Sequence, residues 1–103
     1  MYNVELLPTA WKDLEYIQDW YVDLFGYEIG KSVTDNILNI IDDLAMFPNM
    51  GRPTPDTWLN AQEYKMIVCE KHIIIYRLLN QTVYVYHIAD TRTNYQSLFD
   101  RIE

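Results

Sequence analysis

Cysteine occurs once in this chain, glycine three times, and no uninterrupted apolar run approaches membrane-spanning length. The lone Cys69 cannot close an internal disulfide, so nothing demands an oxidising compartment, and a cytoplasmic location is expected. The opening "MYNVELLPTAWKDLEY" lacks a basic segment followed by an apolar one, so neither secretion nor membrane insertion is expected. Cations are also scarce: eight Lys and Arg stand against fifteen Asp and Glu, a net charge of −7. Nonspecific nucleic-acid binding needs phosphate-neutralising cations, so that class is disfavoured for the chain as a whole. The imbalance is local. Residues 1–50 hold nine acids against Lys12 and Lys31, whereas residues 51–103 hold six of each sign, which leaves open a cationic patch on the second half.

Apolar and aromatic residues, by contrast, are plentiful. Half of the 103 residues are hydrophobic, enough for a single domain, 1–103, to bury one core. Tyr2, Val4 and Leu6 alternate with Asn3 and Glu5, the pattern of a short half-buried strand that Pro8 ends. Thr9 is placed to cap a helix in which Ala10, Leu14, Ile17, Tyr21 and Leu24 recur on one face up to Gly26. Ile29, Val33, Ile37, Ile40, Ile41 and Leu44 repeat that period, so two amphipathic helices form a hairpin. The stretch "FPNMGRPTPD", with three prolines and a glycine, reads as the main loop. Beyond it, β-branched and aromatic residues broken at Glu70-Lys71 and Asn80-Gln81 predict strands near 63–69, 72–79 and 82–89. Residues 93–102 are expected as a short helix or an irregular tail over the sheet.

Helices in one block and strands in another imply an α+β domain: an N-terminal strand, a helical hairpin and a three-stranded antiparallel meander, with the helices on one sheet face. The opposite face is then either solvated or used. Trp11, Trp20 and Trp58 are expected to brace the helices and the long loop.

Metal chemistry is disfavoured. Cys69 and His72 have a zinc-like spacing, yet only His87 is left to join them, and no cofactor or metal site is expected. Asp42 and Asp43 are helix neighbours that point apart, so they serve solvation rather than catalysis. RNA cleavage would need a base, an acid and positive charge on the phosphate. Its candidates are Arg52, Lys65, Arg77 and Arg92 for charge, with His87, Glu63 and a tyrosine for proton transfer. Strict alternation places His87 with Val83, Val85 and Ala89, which suits a packing histidine better than a base.

The stretches "AWKDLEYIQDWY", "VTDNILNIIDDLAMFP" running into "MGRP", "YKMIVCEKHIIIYRL" and "VYVYHIADTRTNY" follow one another in a telling order and spacing. Through them the chain resembles the RelE/ParE superfamily of bacterial type II toxin–antitoxin modules. It implies a growth-inhibiting toxin, of a kind associated with plasmid stabilisation. A cognate antitoxin would neutralise it by covering apolar and aromatic surface on the helical hairpin or a sheet edge. Superfamily members act either on DNA gyrase, as ParE-like toxins, or on ribosome-bound messenger RNA, as RelE-like endonucleases. The acidic total, Asp90 where many relatives carry histidine, and Phe99 in place of a late acid/base group favour the gyrase branch. A degenerate binding module without toxicity is the third alternative. The resemblance also marks Arg92 and Tyr95 for target or partner recognition, although Tyr95 has a second reading as a dock for the tail.

Overall fold

A computed structural model describes residues 1–99. Strand β1 (Asn3–Leu6) leads into helices α1 (Pro8–Phe25) and α2 (Tyr27–Asp43). A two-residue strand β2 (Arg52–Pro53) and a short helix α3 (Thr57–Ala61) follow, then β3 (Lys65–Cys69), β4 (His72–Leu79), β5 (Thr82–Asp90) and a 3-10 turn at Tyr95–Leu98. The strands form one mixed sheet ordered β1-β5-β4-β3-β2. The meander is antiparallel as expected, and β1 adds to it in parallel beside β5, with Val4 opposite Val83 and Leu6 opposite Val85. The two-residue turns at Glu70-Lys71 and Asn80-Gln81 are closed by positive φ at Glu70 and Asn80, +55° and +57°.

Both long helices lie on one sheet face. Ala10, Leu14 and Ile17 of α1 and Ile37 and Ile41 of α2 meet Ile74, Tyr76, Val83, Val85 and Ile88 in the main core. Gly26, at φ +94°, is the whole connection between the helices; that conformation is open to glycine and strained for other residues. The sequence pattern misplaces some faces. Leu24 and Ile29 are exposed, and Gly30 and Thr34 take the buried positions of α2's first half. Thr9 is not the cap of α1. Leu7 holds that position, Pro8 opens the helix, and the Thr9 hydroxyl donates instead to the Tyr86 carbonyl at 2.5 Å.

The other sheet face is covered. Leu59, Tyr64, Met66, Ile73, Ile75, Ala89 and Tyr95 make a second buried cluster, flanked by Trp58, Tyr86 and Phe99. Helix α3, unseen in the sequence, starts at Asp56, whose Oδ1 accepts the Leu59 amide at 2.9 Å. Trp58 thus braces this side, whereas Trp11 and Trp20 are exposed. The tail expected over 93–102 is a turn of 3-10 helix at Tyr95–Leu98; residues 100–102 lie outside the described residues.

One irregularity decides the placement of His87. Ile75 faces His87 but Tyr76 faces Val85, so Tyr86 is an extra residue in β5. Val83, Val85 and Ile88 therefore share the helix side, while Ala89 joins Tyr86 in the second cluster. The expected grouping of His87 with Val83, Val85 and Ala89 does not form, because a bulge inverts the alternation that predicted it.

Candidate functional site

Strand β1 ends at Leu6 opposite Val85, and past that point the outer edge of β5 would be left with unpaired backbone groups. Helix α1 meets them. Thr9 donates to the Tyr86 carbonyl, and Asp13 Oδ2 accepts both the Ile88 amide at 2.9 Å and His87 Nδ1 at 2.8 Å. His87 is further held edge-on against Phe99, ring centroids 5.2 Å apart. It is an anchoring residue in this arrangement.

Along the same side of α1 lies an open groove of about 750 Å³, walled by the helix and by the β3–β4 turn and the end of β5. Its apolar lining includes Tyr16, Ile17, Trp20, Tyr21 and Phe25, and its far rim carries Lys71, Asp90 and Arg92. Tyr21 is the hub of the aromatic wall, with ring centroids 4.9 Å from Trp20, 5.9 Å from Phe25 and 5.9 Å from His72. Tyr16 is 72% exposed and Phe25 54%, so the stripe faces solvent instead of the core. His72 is buried at the base of the groove, and burial pushes its pKa below the ordinary histidine value, with Asp90 and Glu70 opposing that shift. At the rim, Arg92 donates through Nε at 3.1 Å and Nη2 at 3.3 Å to Asp90, whose carboxyl is thereby held below its usual range.

The residues singled out in the sequence do not assemble at one place. His72 pairs with Asp90 across the sheet and Arg77 with Tyr84, so Arg92 and Arg77 are at opposite ends of β4, about 17 Å apart along the strand. Arg77 lies on the second face, its guanidinium 4.6 Å from the Tyr64 ring centroid and 5.1 Å from that of Tyr86, donating to the Tyr86 hydroxyl at 2.6 Å. Lys65 pairs with Tyr76 and so belongs to the helix side of the sheet, while Arg52 is exposed on β2 opposite Met66. Glu63 sits in an exposed turn at φ +66°. Tyr95 is buried in the second cluster, which leaves Arg92 as the accessible member of its pair. Cys69 is buried and its thiol pushed up in pKa by desolvation, and among the described residues no three His, Cys, Asp or Glu side chains gather as metal ligands would.

Sequence reasoning missed Tyr16, Trp20 and Asp13. The signal was present: Tyr16, Trp20 and Leu24 recur every four residues as a second apolar stripe beside the core-facing one.

Comparison with known proteins agrees with this architecture. The family model described as "ParE toxin of type II toxin-antitoxin system, parDE" matches residues 4–95. Among solved structures, the chain is similar to one from the chromosomal ParDE toxin–antitoxin system of P. aeruginosa, at 20% identity and TM-score 0.74, covering 87% of this chain and 96% of that one. It is similar also to a chain of the RelBE2 toxin–antitoxin complex of Mycobacterium tuberculosis, at 17% identity and TM-score 0.64, over 86% and 96% of the two chains. A chain of the E. coli DinJ–YafQ complex shares the fold at 17% identity and TM-score 0.57, over 97% and 100%. No curated protein sequence matches the chain significantly. With 4–95 of its 103 residues matched, the chain belongs to the ParE toxin family of type II toxin–antitoxin systems.

Proposed function

We propose that this protein inhibits growth by binding DNA gyrase, and that a cognate antitoxin holds it inactive until released. The observation that carries the gyrase reading is the dispersal of the cations. A ribonuclease site on this fold would need Arg52, Lys65, Arg77 and Arg92 converging on one phosphate beside His87 or Glu63. Instead Arg77 is held against the neighbouring rings of Tyr64 and Tyr86, Arg92 is paired with Asp90, Lys65 belongs to the opposite face from Arg77, and His87 is tied to Asp13. What the surface offers is a solvent-facing aromatic groove with Arg92 on its rim, a feature suited to protein recognition. Similar folds in the RelBE2 and DinJ–YafQ complexes support an antitoxin as partner. Either target would place the action in the cytoplasm.

The test is induction of the chain alone in bacteria, with labelled thymidine and methionine incorporation followed over the first minutes. DNA synthesis is expected to fail first. Early failure of protein synthesis would reject the gyrase reading for the ribosome-dependent one, and no failure of either would identify a binding module without toxicity.

A further inference from the structure

The rims of the α1 groove differ in charge, and that difference specifies what fits it. On the solvent side of the stripe formed by Tyr16, Trp20 and Leu24 run Glu15, Asp19 and Asp23, spaced by four residues, with Lys12 as the one cation on that flank. All three carboxylates are exposed, and none has an ion-pair or hydrogen-bond partner among the described residues. The two acids that line the groove are already engaged, Asp13 with His87 and, on the far rim, Asp90 with Arg92. The far rim presents Lys71 and the neutralised Arg92. An apolar trough therefore lies beside one unpaired acidic edge.

We propose that this groove receives an amphipathic helix of the antitoxin whose apolar side seats on Tyr16, Trp20 and Phe25, and whose flank carries lysines or arginines that pair with Asp19 and Asp23. The inference rests on the toxin–antitoxin reading and adds the chemistry of the docking segment, which is cationic over α1. Aromatic and aliphatic contacts supply the affinity of a helix lying in a groove, and the charged edge sets its direction and the rate of encounter.

Two measurements separate this inference from the reading beneath it. The first uses labelled synthetic helical peptides with one shared apolar face and either lysine or glutamate along the flank, titrated by fluorescence anisotropy at low salt. The lysine peptide is expected to bind about tenfold tighter, from a few exposed ion pairs acting together. In the Asp19→Asn/Asp23→Asn variant, whose substituted side chains are solvated and leave the core untouched, that preference should fall roughly threefold or more. Equal binding of both peptides, or tighter binding of the glutamate peptide, overturns the inference. The second measurement expresses the protein encoded beside this chain together with wild type and with the variant. Failure to relieve wild-type growth arrest sinks the toxin–antitoxin reading, whatever the peptides do. Relief of arrest by a protein whose affinity ignores both substitutions and added salt sinks the cationic helix alone.

Discussion

Replacing Tyr76 by phenylalanine removes one oxygen from the centre of the main core. Tyr76 is wholly buried, and its hydroxyl donates to the Pro48 carbonyl and accepts the Gly51 amide, both at 2.9 Å. These two bonds tie the loop between α2 and β2 to the middle of the sheet. Gly51 is required for the approach, because a Cβ there would sit 2.6 Å from the Tyr76 oxygen. Each net hydrogen bond contributes about 1 kcal/mol, and the stranded buried carbonyl adds a desolvation penalty, so the variant should lose about 2–3 kcal/mol. For a domain of this size that corresponds to a fall in Tm of about 10–15 °C. Thermal unfolding by circular dichroism reads it directly, with Tyr16→Phe, altered on an exposed ring, as the unaffected control. A second readout follows from titration. Burial raises the phenol's pKa in the folded state. The unfolded chain therefore ionises first, and wild type loses stability as pH rises past about 10, a loss to which Tyr76 no longer contributes in the variant. A stability change below about 0.5 kcal/mol, the noise of an ordinary surface substitution, would refute the assignment of these bonds.

Asp13→Ala should destabilise by about 2 kcal/mol and speed exchange of the Ile88 amide, since one carboxylate oxygen satisfies two donors. Asp13→Asn keeps an acceptor and should lose less; equal protection of Ile88 in wild type and Asp13→Ala would disprove the anchor. His72 has a folded pKa below its unfolded value, so the unfolded chain takes up the proton first. Its contribution to stability is level above about pH 6.5 and declines as pH falls below that value. Urea midpoints at pH 5, 6 and 7 should show this slope, and His72→Gln should flatten it; an unchanged slope in the variant would assign the effect elsewhere.

The two long helices and the three-stranded meander were legible because their patterns are local: a period near four residues for the helices, and β-branched runs broken by polar pairs for the strands. What escaped the sequence was non-local or short. Helix α3 spans only five residues directly after a proline-rich stretch, and only Asp56 before Thr57 announces it. The bulge at Tyr86 leaves no local mark, since it is defined by pairing with β4, and it reversed the face assigned to Ala89. Thr9 looked like a cap and instead binds a carbonyl 77 residues away. The groove was half legible. Arg92, on one rim, was singled out, but of the aromatic wall opposite Trp20 was read as a brace for the helices and Tyr21 as a core-facing residue, because the exposed stripe adjoins the buried one without a polar gap.

Hydrophobic packing alone would allow α1 to roll over the sheet by a fraction of a turn, as oily surfaces slide more easily than they separate. Thr9 and Asp13 forbid that motion, because both are fastened to main-chain groups of β5 that cannot move without the strand. The bearing of Tyr16 and Trp20 is consequently indexed by the backbone and not by the fit of neighbouring side chains. A partner arriving at the groove meets a surface already in its final attitude, and little of the binding free energy goes into arranging it.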